Sequence, residues 1–362
     1  MSATSVIPRR VDRLVELLPE NGLDVLLVTD LINLRYLTGF VGSNGLGLIG
    51  PDTRMFATDF RYAAQMAEEV DSSFERRELP RNLFADLEEV LPPGQLRLGY
   101  ENSMPVRIHA RLRELLPERV ELVMADGLVE GMRAVKEPAE VDRMQAAAEL
   151  ADLALEQLLA RGLAGRSEHA AALELELAIR QGGAEHVSFE PIVAAGPHGA
   201  LPHATPREVE IERGQLVVID FGARLDGYCS DCTRTVAVGE PDLDAREIYA
   251  LVLEAQLAGL AAVRAGAQCR HVDSAARDLI AVAGHGEQFG HGLGHGVGLD
   301  IHEDPRVTQV AEGTLVAGNV VTVEPGVYLP GRFGVRIEDL VVVTEDGCRI
   351  LTGVTKDLLV IE

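Results

Sequence analysis

The sequence predicts an α/β domain followed by an α+β domain built from two helix-helix-strand halves. Three observations carry this. The first third alternates short apolar strands with amphipathic helices. Around "GLVEGMRAVKEPAEVDRM" the alternation stops. From there on, two helices followed by strands occur twice over, an internal duplication facing a shared sheet. The boundary falls near residues 128–134, which gives domains 1–130 and 131–362.

In "PRRVDRLVELLPENG" the apolar residues Val11, Leu14, Val15 and Leu18 mark one helical face that ends near Gly22. "DVLLVT", "GLGLIG" and "RMFAT" read as buried strands, and "DFRYAAQMAEEV" as a helix. "QLRLGYE", "VRIHARLRELL" and "VELVMAD" repeat the order strand, helix, strand. Pro138 suits a first helical turn and opens a long helix to about Arg161. "EHAAALELELAIRQGG" is a second helix, stopped at Gly182–Gly183. Strands follow in "VSFEPIVAAG" and "QLVVIDFGARLDGYCSDCTRTVAVG". Two further helices, "DAREIYALVLEAQLAGLAAVRAG" and "HVDSAARDLIAVAG", precede the last strands, "NVVTVEPGVYL" and "VRIEDLVVVTEDGCRIL".

Composition excludes several function classes. With 362 residues, 47% of them hydrophobic and 25% charged, the chain can bury sizeable cores. A formal net charge of −24 argues against nucleic acid and anionic membranes as partners, because basic patches carry that affinity. "MSATSVIPRR" shows no signal peptide, and no apolar run approaches the ~20 residues of a membrane span. Four cysteines are too few for a disulfide scaffold and point to a reducing cytoplasm. "CSDC", Cys229 to Cys232, has no second pair at metal spacing, so it reads as two small half-buried residues beside something more important.

"HGLGHGVGLDIHE", His291 to Glu303, holds three histidines and four glycines. A helix would lose roughly 1 kcal/mol at each glycine relative to alanine. The period of two suits an extended strand, on which His291 and His295 stand about 13 Å apart at ~3.3 Å per residue. One of these histidines is therefore a metal ligand and the others have different duties. The glycines imply that something approaches the backbone closely.

"VVIDFGARLDGYCSDCTRTVAV" reads as a hairpin turning at Asp226–Gly227. Asp220 and Asp231 lie eleven apart about that turn, so both carboxylates can point at one spot. Each sits in an apolar strand, where an unpaired charge is costly. Glu324 closes "NVVTV" before Pro325, and Glu338 sits in "VRIEDLVVV" with Arg336 as its obvious partner. Four such carboxylates beside a glycine-bracketed histidine demand cations, and two divalent ions balance them. Oxygen-rich ligation with one imidazole favours Mn²⁺ over a thiolate-type zinc site, although Co²⁺ and Zn²⁺ accept the same donors. Paired ions of this kind clamp a hydrolytic water.

These residues resemble the creatinase/prolidase/aminopeptidase P family, which shares the pita-bread fold, over nearly the whole chain. "NLRYLTGFVGS" and "TDFRYAAQ" look like its N-terminal domain, and "MRAVKEPAEVDRM" like its linker and first catalytic helix. "IDFGARLDGYCSDCTRT", "FGHGLGHGVGLDIHE", "TVEPGVY" and "GVRIED" look like its metal-site segments. The resemblance implies a dinuclear site of Asp220, Asp231, His295, Glu324 and Glu338. Asp231 and Glu338 would bridge, Asp220 would hold one ion, and His295 and Glu324 the other. It makes Glu324 the proton acceptor, His302 the substrate contact near the scissile bond and His203 the residue that steadies the tetrahedral intermediate. His291 becomes either a wall on the proline side or a packing residue. Tyr328 and Arg336 match supporting positions of the substrate site, and His198 is read as surface or pocket rim.

What the resemblance implies is a cytoplasmic, homodimeric exopeptidase acting on short proline-containing peptides. Methionine aminopeptidases share the catalytic fold but usually lack the N-terminal domain, creatinase lacks the metal ligands, and non-catalytic members have typically lost them. A dipeptidase must hold the free carboxylate of the proline, and arginine's planar fork suits that task. The position that carries such an arginine in larger prolidases is Val310 here. Arg306, four residues after His302, stands as in compact two-domain prolidases, and Arg332 is a second candidate. The reading is therefore an Xaa-Pro dipeptidase, with aminopeptidase P as the alternative.

Overall fold

The computed structural model describes residues 6–362. Two compact units emerge, Met1–Arg133 and Ala134–Glu362.

The first unit is a six-stranded mixed sheet. Its central strand, Val25–Val28, pairs antiparallel with Leu46–Gly50 and parallel with Leu96–Glu101. The opening helix, Val6–Leu17, buries Val11 and Leu14 and gives way to a 3₁₀ turn closed by Gly22 at φ 65°. "DFRYAAQMAEEV" forms a 3₁₀ turn, Phe60–Tyr62, followed by the helix Ala63–Glu69. Four elements escaped the sequence reading, among them the short helices Leu87–Val90 and Leu128–Arg133. Leu31–Thr38 is a helix because Asp30 caps it, accepting from the Ile32 and Asn33 amides. Glu75–Glu78 is an edge strand whose four charged residues are all exposed, which hides it from any apolar pattern.

The second unit repeats helix, helix, strands. The first pair of helices is Pro138–Ala160 and Glu168–Gln181, and the second is Leu243–Ala262 and Cys269–Val282. Pro138 does stand in the first turn, completed by a capping box between Glu137 and Glu140. The two sets of strands do not form one shared sheet. One sheet of four holds Ile192–Ala195, Leu216–Phe221, Cys232–Val238 and Val360–Ile361; one of five is centred on Val320–Val323. They are stitched along the Arg336–Glu338 segment. The Glu338 amide donates to the Thr233 carbonyl at 3.1 Å, and Thr235 Oγ1 bonds the backbone of Arg336. Each helix pair packs its apolar face on its own set of strands. Ala151, Leu155 and Leu175 lie against Val193 and Ile219 in one core, and Val252, Val272 and Ala276 against Val321 and Val341 in the other.

Candidate active site

The hairpin register explains where the first carboxylates go. Asp226 and Gly227 take left-handed conformations, φ 48° and 82°, at the predicted turn. Arg224 then faces Cys229, and Asp220 faces Thr233. Asp231 is thus not the direct partner of Asp220. It is the diagonal neighbour two residues nearer the turn, on the same face, within reach of its carboxylate. Glu338 reaches the same spot from the stitching segment, and oxygens of Asp220, Asp231 and Glu338 all lie within 4.8 Å of one another.

The fourth and fifth groups meet this cluster through Asp231. His295 Nε2 lies 3.6 Å from Asp231 Oδ2 and 3.3 Å from Glu324 Oε1. Its Nδ1 donates to the Gly296 carbonyl at 3.0 Å, which leaves Nε2 of the neutral ring with a lone pair facing the carboxylates. Burial holds the His295 imidazole below its ordinary pKa and keeps it neutral. His291 uses Nδ1 in the same way, on the Gly292 carbonyl at 2.8 Å. Its Nε2, however, meets the Tyr328 hydroxyl at 2.9 Å, so both ring nitrogens are engaged within the fold. The two histidines differ in that one bond.

The expected long glycine strand is only Gly294–Gly296. The alternation comes from steric approach by the two flanking strands. A Cβ added at Gly294 would overlap the Thr322 carbonyl oxygen, at Gly296 that of Asp304, and at Gly298 the Glu303 carboxylate.

Electrostatically the cluster is incomplete. Burial first, then the charges of Glu338 and Asp220, drive the Asp231 carboxyl well above the usual range. Burial likewise raises Glu338 and Glu324. One cation touches the group: Arg336 Nη2 donates to Asp220 Oδ2 at 2.6 Å. Arg336 pairs with Asp220 and not with Glu338, and it also donates to Thr233 Oγ1, the Pro202 carbonyl and Tyr328. Glu338 accepts instead from Thr233 Oγ1 at 2.7 Å. Asp220 Oδ1 is buried with no hydrogen-bond partner among the described residues. An orphaned carboxylate oxygen beside repelling carboxylates and a neutral imidazole suits hard divalent ions.

A cavity of about 430 Å³ opens over the cluster. Asp220, Asp231, Glu324, Glu338, Arg336, His203, His291, His295, His302 and Arg306 all line it. Tyr328 lies behind the wall, buried, bonding His291 and Arg336. The His302 ring stands 4.3 Å from that of His295. Arg332 is not in the wall; it pairs with Asp244 and stacks on Phe333. Val310 is 88% exposed and also outside the wall. His198 is neither surface nor rim. It is buried, with Nδ1 2.8 Å from Glu168 Oε2. The Cys229 and Cys232 thiols are free, buried and inert, burial pushing Cys229 up to about 12.

Comparison with known proteins adds a family. Residues 142–345 match the model of Metallopeptidase family M24, and residues 10–135 match the Creatinase/Prolidase N-terminal domain. The chain belongs to metallopeptidase family M24. It is 35% identical to the Xaa-Pro dipeptidase of Pyrococcus horikoshii, over 98% of this chain and 99% of that one. Two solved structures superpose over nearly the full length. One is an Xaa-Pro dipeptidase from Bacillus anthracis, with a TM-score of 0.93 and 38% identity, covering 98% of this chain and 100% of that one. The other is an X-Pro aminopeptidase from Thermotoga maritima, with a TM-score of 0.89 and 36% identity, covering 97% and 100%. The two-domain, pita-bread architecture expected from the sequence is therefore that of this M24 metallopeptidase.

The sequence reading missed two acids in this M24 peptidase. Glu168 shares a buried stripe with Ala171, Ala172, Leu175 and Ile179, and Asp273 shares one with Cys269, Val272, Ala276 and Ile280. Asp273 accepts from the Leu293 amide at 2.9 Å and pairs with Arg277, which donates to the Phe289 and His291 carbonyls. An acid on the apolar face of a helix was the available signal in both cases.

Proposed function

We propose that the chain is a dinuclear metal-dependent Xaa-Pro dipeptidase. The observation that carries the dipeptide preference is Arg306. It is an exposed cation on the cavity wall beside His302, with no carboxylate partner among the described residues. Its charge acts on both His295 and His302. A proline carboxylate would supply the missing partner through a bidentate pair.

Asp220, Asp231, His295, Glu324 and Glu338 would hold two divalent ions, with Mn²⁺ the best match to this donor set. When bound, such ions polarise the scissile carbonyl and acidify the attacking water. Glu324, whose carboxyl burial raises, is suited to take the proton of that water on Oε1, where Thr322 Oγ1 and His295 Nε2 already converge. His302 and His203 face the cavity from opposite segments and would donate to the substrate amide and the developing oxyanion. His291, held by Tyr328, would wall the proline ring. Unpaired cysteines support a reducing, cytoplasmic setting for the enzyme, which we take to act as a homodimer. Among the described residues no helix is long and apolar enough to cross a membrane.

The test is hydrolysis of matched Xaa-Pro and Xaa-Pro-Yaa peptides by chelated protein, with Mn²⁺, Co²⁺ or Zn²⁺ added back. Mn²⁺ should restore Xaa-Pro cleavage best. Arg306→Ala should lose activity on Xaa-Pro selectively. Equal losses on both substrates, or a wild type that prefers tripeptides, would move the assignment to aminopeptidase P.

A further inference from the structure

The cavity wall from Pro202 to Pro206 belongs to no sheet, yet it carries His203. What holds it lies at its two ends. Before it, the Ala195 amide donates to Glu168 Oε1 at 2.9 Å, and His198 Nδ1 meets Glu168 Oε2 at 2.8 Å. After it, the Arg207 amide and Nε donate to the same Oε2 at 3.1 and 3.2 Å. One carboxylate, 1% exposed, therefore closes the loop's entry and exit. Burial alone would raise the Glu168 carboxyl. The Arg207 guanidinium, the two amides and His198 outweigh it and keep the group below the usual carboxylate range. Between these ends the Pro202 carbonyl accepts from Arg336 Nη1 at 3.1 Å, and Gly199 packs on the backbone of Gly334.

The geometry points to Glu168 as a positioning residue that, with His198 as its partner, sets the loop 196–207 so that His203 faces the substrate. Glu168 touches neither the cavity nor the carboxylate cluster. Its effect on turnover is therefore expected to pass through the loop it holds, and to reach the substrate by way of His203. The inference rests on the proposed role of His203 and is separable from it.

The test is a double-mutant cycle on Xaa-Pro hydrolysis with the Mn²⁺-loaded full-length enzyme, using Glu168→Gln, His203→Ala and the pair. Glutamine keeps the shape but turns a donor toward the Arg207 and His198 donors. We expect His203→Ala to lower kcat by about 10²-fold. Glu168→Gln should lower it roughly 10-fold or more, with KM within a few-fold and metal content unchanged. The double variant should be no worse than His203→Ala alone, because residues acting through one group are non-additive. Multiplied losses, or metal loss in Glu168→Gln, would overturn the inference and leave the dipeptidase reading intact. A His203→Ala variant with normal kcat would overturn both this inference and the role of His203. Should Glu168→Gln not fold, His198→Ala enters the same cycle with the same criteria.

Discussion

In the first half of the second unit the reactive groups stand on a hairpin, whose ladder pairs Leu216–Phe221 with Cys232–Ala237 and resumes, after a break at Gly222 and Asp231, next to the turn at Asp226–Gly227. In the second half His295 stands on a strand of three residues flanked by irregular chain. A ladder fixes a carboxylate by backbone register: Asp220 faces Thr233 within it, and Asp231 stands immediately before its first residue, Cys232. A histidine on irregular backbone needs anchors, and here they are Asp273 and Arg277 gripping residues 289, 291 and 293. The first half uses the same device once, with Glu168, where its own chain becomes irregular around His203. In both halves a buried acid on the second helix replaces the missing ladder.

Five substitutions would break or sharpen this contrast. The largest effect belongs to Asp231→Asn, since Asp231 is the group shared by the carboxylate cluster and His295. It keeps the shape, removes one charge, and should abolish turnover and lower metal stoichiometry. A variant with two ions and near-normal rate would show that Asp231 does not join the clusters. Next come the second-half histidines. His295→Ala should lose metal while His291→Ala keeps it, because Tyr328 occupies the other nitrogen of His291. Asp273→Asn, which weakens the anchor and leaves the ligand, should weaken metal binding by ~10–100-fold. Titration calorimetry on chelated protein separates the three. Metal loss in His291→Ala would mean that the two rings are interchangeable.

The smallest effect is on stability. The first helix of the first pair buries Asp152, and that of the second buries the neutral Gln256. Burial raises the Asp152 carboxyl from 3.8 to about 6, with the Gly353 amide pulling the other way. Between those values the folded chain binds more protons than the unfolded chain. Stability therefore falls as pH rises through this window, by about 2–3 kcal/mol in all. Asp152→Asn should raise the melting temperature at pH 7.5 and give little gain near pH 4. A gain of equal size at both pH values would mean that charge burial is not the cause.

Much of this was legible in the sequence. The helix stops and the Asp226–Gly227 turn were, because glycine and proline act locally. The four carboxylates of the proposed site were, because acids inside apolar strands are conspicuous; the choice of His295 among the histidines came from the family resemblance alone. The pairing was two residues off: Asp220 faces Thr233 and not Asp231, since the turn is centred between residues 226 and 227. The glycine segment looked like a strand because steric approach by Thr322 and Asp304 also repeats every second residue. Glu168 drew no notice, because an acid in a first helical turn is common, although its stripe is buried. The burial of His198 could not be read locally, because its partner lies thirty residues earlier in the chain.

The glycines have a last consequence, for how a mutational scan of this protein should be read. Positions 294, 296 and 298 have no side chain to ligate a metal, yet neighbouring oxygens fill the space of any Cβ there. They should tolerate substitution as poorly as the proposed ligand His295 between them. A tolerance map would then show a continuous forbidden band across 294–298 in which one residue does chemistry and its neighbours supply clearance. Measuring metal content variant by variant, not activity alone, would show whether the glycine variants fail by displacing His295 or by failing to fold.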